Sequence, residues 1–358
     1  MPKTQRIIKT FEAINEALLM SMKKNKNVVL IGLGVDDPKG IFGTTKNIEK
    51  NLKQKKKRVF DFPTAENAMT GIALGASISG IVPIITHQRV EFSLLSVEQI
   101  FNQIAKWHFM SAGKKNVPLV IRLIIGRGWG QGPQHSQSLE SIFSHIPGLK
   151  VVTLSTPKNS KGLIISSIKD KNPVIIFEHR WIHNLKGVVP KNYYEIPIGK
   201  SNVLKKGKDI TLISNSYTIT ECLRAYEILK KNSISVEIID LQSLRPLDCN
   251  TIIKSVKKTK KALIIDNSTM TYGVSSEIYS KVIEGIKIKN LRNFHIDRIG
   301  PPDIPTPSTR ALAKFCYINY IDIIKSVEKI LKIKIVNYKK NSKKLPHDKP
   351  YGDFTGPF

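Results

Sequence analysis

The sequence predicts an α/β protein made of two parallel-sheet domains, each sheet covered by helices on both faces. Three observations point there. Apolar runs such as Val28-Val29-Leu30-Ile31 and Val174-Ile175-Ile176-Phe177 are continuous rather than alternating, as strands buried on both faces are. Segments of helical periodicity lie between these runs, which is the pattern of βαβ units. The alternation lapses once, in a stretch punctuated by Pro190, Pro197, Gly199 and Gly207, and then resumes. At 358 residues the chain is long enough for about two domains. The expected division is a first domain over 1–190, a linker over 191–208, a second domain over 209–335 and a polar tail over 336–358.

Ile7, Phe11, Ile14 and Leu18 repeat at helical spacing and predict an amphipathic first helix. Lys9, Glu12 and Glu16 break that stretch, so it reads as a helix rather than a signal peptide. Strands are expected at Val28–Gly32, Val59–Phe62, Val82–Thr86, Val117–Ile125, Val151–Leu154 and Val174–Phe177. Helices are expected at Ala65–Ser79, from about Phe92 to Met110, and at Lys161–Ile168. Thr64 is the expected N-cap of the first of these, with Glu66 in its first turn. The second half repeats the alternation with strands at Ile210–Ile213, Ser235–Asp240 and Ala262–Asp266. Its helices are expected at Thr218–Lys230, Cys249–Lys257 and Val274–Ile283, with Gly285 as the stop signal of the last. Pro301, Pro302, Pro305 and Pro307 form a stiff connection to helices between Thr309 and Lys332.

Lys and Arg number 57 against 28 Asp and Glu, a net charge of +29. Such an excess raises a nucleic-acid reading. No RNP-type motif, Cys/His finger or basic zipper accompanies it, so the lysines read as solvated surface, some of them facing an acidic partner. Cys222, Cys249 and Cys316 are far apart and form no CxxC, which excludes a zinc or disulfide framework and suits a reducing, cytoplasmic setting. No apolar run reaches membrane-spanning length.

Asp61-Phe62-Pro63-Thr64-Ala65-Glu66-Asn67 joins a strand to a helix, the level at which open α/β sheets bind ligands. An acid there also has a purely structural use, because carboxylates suit helix N-termini. Gly71, Gly75 and Ser79 give that helix a smooth face, open to packing inside the domain or to a subunit interface. The loop Gly126 to Gln137 alternates glycines with other residues but is neither a dinucleotide nor a P-loop motif. His135 in it is suited to proton transfer near neutral pH, or to an ordinary hydrogen bond.

Several of these stretches, in order and spacing, resemble the β subunits of thiamine-diphosphate-dependent 2-oxo acid dehydrogenase E1 components. They are Asp61 to Phe92, Gln134-His135-Ser136-Gln137, Pro147 to Val152, Lys161-Gly162-Leu163, Asn172-Pro173-Val174 and Asp240 to Asp248. These subunits are similar to the pyrimidine-binding and C-terminal domains of transketolase. The resemblance implies a thiamine-diphosphate-binding fold followed by a transketolase C-terminal-like domain. It implies that Glu66 hydrogen-bonds the cofactor's aminopyrimidine and promotes removal of the thiazolium C2 proton. Phe92 then stacks on the pyrimidine, Gln88 lies next to the pocket, and His135 handles a proton near the reacting carbon. The implied reaction is decarboxylation of a 2-oxo acid with acyl transfer to a lipoyl carrier.

The family's Gly-Asp-Gly motif, which holds magnesium and the diphosphate, sits on a partner subunit; here Gly-Asp occurs only as Gly352-Asp353, before Phe354. The resemblance therefore implies that this chain binds no metal itself. It implies an E1 α-like partner in an α2β2 heterotetramer, with thiamine diphosphate shared and Mg2+ held by the partner, and a lipoyl acyltransferase as a further associate. Specific nucleic acid and membrane are not expected partners. Three departures stand out. Leu33 follows Gly32 where the family carries Glu, with Asp36 or Asp37 as replacements. His87 and Arg89 differ from the common pattern. Arg127 and Trp129 decorate the glycine loop, and together with His87, Arg89 and Arg180 they suggest a basic, polar pocket for a hydroxylated or anionic substrate; service of the arginines at a subunit interface is the equal alternative. A split transketolase-like enzyme that transfers a ketol unit in sugar biosynthesis is the enzymatic alternative, and a basic nucleic-acid-binding protein the non-enzymatic one.

Overall fold

The computed structural model describes residues 6–126, 131–286, 288–336 and 338. By compactness the chain divides into two units: Ile142–Ile198 groups with the residues up to Gly126 in the first, and the segment before Ile142 groups with the residues from Gly199 in the second.

In the first unit a short ribbon pairs β1 (Ile7–Lys9) antiparallel with β8 (Lys186–Val188). The main sheet is parallel. Its strands are β2 (Val28–Gly32), β3 (Val59–Asp61), β4 (Val82–His87), β5 (Val120–Ile125), β6 (Lys150–Thr153) and β7 (Val174–His179). They lie in the order β6-β7-β5-β4-β2-β3. β3 flanks β2 on one side and β4 on the other, so the connections leave in opposite directions and open a crevice at the carboxyl ends of β2 and β4. Every residue of β5 and β7 is buried, as the continuous apolar runs imply.

Helices α1 (Thr10–Lys24), α2 (Ile48–Leu52), α3 (Glu66–Ile78), α4 (Trp107–Met110), α5 (Glu140–His145) and α6 (Pro157–Lys169) connect these strands. α1 packs on α6, and its Ala13, Ile14, Ala17 and Leu18 are fully buried. Lys161 clamps that contact: its Nζ donates to Pro190 O at 2.7 Å and Lys191 O at 3.2 Å and lies 3.4 Å from Glu16.

The long helix expected over 92–110 is broken. A 3-10 turn covers Val90–Ser96 and a π-type turn Gln99–Ile104, before α4. Ser93 and Ser96 donate their hydroxyls to Val90 O and Ser93 O at 2.6 and 3.2 Å, which favours the tighter turn. The Ala105 amide reaches five residues back to Ile100 O, and a Cβ on Gly148 would lie 1.8 Å from Ala105 O. Gly148, at φ +100°, is thus the position that lets this irregular turn press against the following loop. Thr64 does not cap α3 either; Ala65 is the N-cap and no side chain caps that end.

The second unit carries a mixed sheet of β9 (Asn202–Lys205), β10 (Ile210–Ser214), β11 (Val236–Asp240), β13 (Lys261–Ile265) and β14 (His295–Ile299), with a short β12 (Ser243–Arg245) following β11. The order is β14-β13-β10-β11-β9; all pairs are parallel except edge strand β9, which departs from an all-parallel expectation. Its helices are α7 (Thr218–Lys231), α8 (Cys249–Thr259), α9 (Val274–Gly285), α10 (Arg310–Ala313) and α11 (Tyr320–Leu331). Ile210 and Leu212 of β10 pack with α7 and α11, while Thr211 between them bonds Ser255 and Thr259 of α8, both at 2.8 Å. Alternate side chains of one strand therefore meet helices on opposite faces, giving three layers. Gly285 is the last residue of α9 rather than a cap beyond it, and a Cβ there would lie 2.4 Å from Ile253 of α8. Its small size serves helix contact. Asp248 caps α8 through Thr251 N at 3.3 Å, and Asp266 accepts from Ser268 N and Ser275 N at 3.1 and 2.8 Å. Among the described helices none is long and apolar enough to cross a membrane.

An ion pair is sealed in the first sheet. Arg122 of β5 meets Glu178 of β7 through Nε–Oε1 at 2.5 Å and Nη2–Oε2 at 3.0 Å, with both side chains fully buried. Arg122 also donates to Thr86 Oγ1 at 3.2 Å and Thr44 Oγ1 at 3.0 Å. Despite burial, which alone would raise it, the Glu178 carboxyl is held down at about 2 by Arg122 and His183. Arg122→Met, which strands the carboxylate, is expected to cost about 3–5 kcal/mol in denaturant unfolding, and Arg122→Met/Glu178→Leu to recover most of it. Because the folded carboxyl titrates below its unfolded value, the stabilisation is present above about pH 4.5 and lost as the pH falls toward 2. The stability advantage of the native chain over Arg122→Met should therefore shrink in that window.

Candidate active site

The crevice between the ends of β2 and β4 holds a pocket. Leu33, Pro63, Glu66, Met69, Thr86, His87, Gln88 and Phe92 line it. Each wall follows from local structure. β2 ends at Gly32, where a Cβ would lie 2.5 Å from Thr86 O of β4; only glycine allows the two strand ends so close. Just beyond, Gly34 at φ +71° turns the chain, its amide donating to Asp61 Oδ1 at 2.5 Å. The Gln88 amide donates to Leu33 O at 3.1 Å, tying the β2 loop to the end of β4.

Glu66 opens α3 and is only 8% exposed. Its main-chain carbonyl accepts from Thr70 Oγ1 at 2.8 Å, but among the described residues no hydrogen bond or ion pair engages its carboxylate. The helix N-terminus favours a negative charge there without neutralising it. Phe92 is half-buried on the opposite, 3-10 segment. The structure thus brings Glu66, Gln88 and Phe92 of the predicted set into one pocket.

His135 belongs to the segment that groups by compactness with the second unit. It ends the turn Pro133–His135, half-buried, and its Nδ1–H donates to Gln134 O at 2.7 Å. Leu33 is the residue that faces the pocket after β2, whereas Asp36 and Asp37 are exposed and Asp36 sits 3.6 Å from Lys57.

The expectation of a basic pocket is revised in part. His87 lines the pocket, but burial holds its imidazole down at about 4, so it is neutral at physiological pH. Arg89 and Arg180 are buried in the first unit rather than displayed. Arg89 donates to Gly126 O, and both guanidinium groups lie over the Phe42 ring, at 5.8 and 4.4 Å. Arg127 and Trp129 lie outside the described residues, as does Gly352-Asp353. Among the described residues no group of three or more His, Cys, Asp or Glu side chains is placed to hold a metal ion.

Sequence reasoning missed Arg122 and Glu178 as parts of this architecture. A signal was present: Arg122 interrupts Val120 to Ile125, and Glu178 ends Val174 to Phe177, two runs otherwise apolar. A charge inside a doubly buried strand demands a partner in the same sheet.

Comparison with known proteins adds an independent line. Residues 6–184 match the family described as transketolase, pyrimidine binding domain, and residues 199–323 that described as transketolase, C-terminal domain. The pyruvate dehydrogenase E1 component subunit beta of Mesostigma viride is 38% identical over 321 residues, spanning 90% of this chain and 97% of that protein. The acetoin:2,6-dichlorophenolindophenol oxidoreductase subunit beta of Cupriavidus necator is 35% identical over 327 residues, spanning 89% and 96%. A solved structure titled split gene transketolase, inactive beta4 tetramer, superposes with a TM-score of 0.73 at 21% identity, over 91% of this chain and 99% of that one; it bears on the fold.

Gly32→Ala tests the geometry. A methyl group 2.5 Å from Thr86 O and 2.8 Å from Val35 Cγ1 must push the ends of β2 and β4 apart. A loss of about 1–3 kcal/mol in denaturant unfolding is expected; an unchanged midpoint would contradict the close approach.

Proposed function

Because the chain belongs to the family of the pyruvate dehydrogenase E1 component β subunits, oxidoreductase subunits built from the transketolase pyrimidine-binding and C-terminal domains, we propose that it is the β subunit of a thiamine-diphosphate-dependent 2-oxo acid dehydrogenase. The observation that carries this is Glu66, a residue nine-tenths buried whose carboxylate has no hydrogen-bond partner among the described residues, in a pocket it shares with Phe92. Burying an acid without a hydrogen-bond partner is costly, so the site suits a ligand that supplies one. The residues fit an aminopyrimidine ring: Leu33, Met69 and Phe92 offer apolar surface to a flat ring, and Glu66 offers an acceptor or a proton to its nitrogens.

When bound, thiamine diphosphate supplies a carbon nucleophile and an electron sink for decarboxylation. The work of this chain is then to hold and orient. Glu66 presents its carboxyl oxygens to the ring for proton exchange. Gln88 fixes the loop that carries Leu33. By the family resemblance, His135 takes or returns a proton near the substrate carbonyl.

The finer parts of the reading follow the family. An E1 α-like chain completes an α2β2 assembly, grips the diphosphate and holds Mg2+, and a lipoyl acyltransferase receives the acyl group. The charge of +29 supports an acidic associate. The test uses the chain co-purified with its partner, thiamine diphosphate and magnesium. Decarboxylation of a 2-oxo acid with reductive acylation of a lipoyl carrier is expected, and Glu66→Ala should lower it by about 100-fold or more. Retained activity in Glu66→Ala would overturn the role of Glu66. Ketol transfer between sugars in place of decarboxylation would overturn the dehydrogenase reading in favour of a transketolase-type reaction.

A further inference from the structure

We propose that His87 is a further positioning residue of this pocket, hydrogen-bonding the edge of the aminopyrimidine ring; the proposal rests on the cofactor reading above. His87 ends β4 and is 3% exposed, yet it is among the residues lining the pocket. Its Nε2 is sealed from solvent and has no hydrogen-bond partner among the described residues.

The other polar groups of the pocket are committed. The Gln88 amide donates to Leu33 O, and the Thr86 hydroxyl accepts from Arg122. Glu66 and His87 are left, and of the two only His87 has an atom both sealed from solvent and unpartnered among the described residues. Burial alone holds the imidazole neutral, so at physiological pH it offers one N–H and one lone pair. A pyrimidine edge with a ring nitrogen and an amine can use either. A leucine would fill the same space without stranding a polar atom, so a buried histidine here makes sense as a group kept for a ligand. The family pattern does not supply this role, since His87 is one of the positions at which the chain departs from it.

The account separates stability from binding. In His87→Leu the orphaned nitrogen is gone, so the cofactor-free assembly should melt at the same temperature or higher. Its affinity for thiamine diphosphate, measured by calorimetric titration with magnesium present, should fall by about 5- to 20-fold. His87→Gln, which keeps a donor and an acceptor, should fall less. Unchanged affinity in His87→Leu would overturn the proposal. So would a lower cofactor-free melting temperature in both variants with affinity intact, which would assign His87 to the fold. Failure of the native assembly to bind thiamine diphosphate at all would instead overturn the underlying reading of the pocket.

Discussion

Arg122 and Glu178 hold a full ion pair where no water reaches, and the arrangement around the pocket depends on it. A charge buried in a sheet is tolerable only if its hydrogen-bonding capacity is met. Arg122 meets it by joining three adjacent strands: its own β5, β7 through Glu178, and β4 through Thr86. Thr86 is also the residue whose carbonyl packs against Gly32 at the end of β2, and the residue before His87. One guanidinium therefore ties β4 to β5 and β7. The pocket opens at that junction, between strands whose connections leave in opposite directions.

This explains why Glu66 can be useful. A carboxylate at a helix start is ordinary, and most such residues serve the helix. Glu66 differs because α3 begins directly over the crevice, which leaves the acid largely shielded from water and facing the pocket. Burial without a protein partner is the property that ligand chemistry requires and that folding alone would avoid. The same logic extends to His87. The sheet keeps both groups in place, and neither is satisfied by it.

Much of this was legible in the sequence. Continuous apolar runs identify β5 and β7, and the strand-to-helix passage Asp61 to Asn67 marks the level of the site. What was not legible is tertiary. Propensity treats Phe92 to Met110 as one helix, yet serine back-bonding and the contact at Gly148 reshape it into tighter and wider turns. The capping of α3 and the use of Gly285 depend on what packs nearby. The basic excess reads as surface, but the Arg58 guanidinium is buried, donating to Met22 O and Val28 O at 2.9 and 3.3 Å. Charge excess alone does not say which basic residues face water. Arg58, Lys161 and Arg122 are structural, and the remaining surface lysines are those available to a partner.

The central claim is that this chain contributes the pyrimidine half of a cofactor site and depends on another chain for the rest. Calorimetric titration of thiamine diphosphate with magnesium, into the chain alone and into the chain assembled with its partner, tests it most directly. The account predicts tight binding by the assembly and little or none by the isolated chain. Tight binding by the isolated chain, equal to that of the assembly, would contradict it.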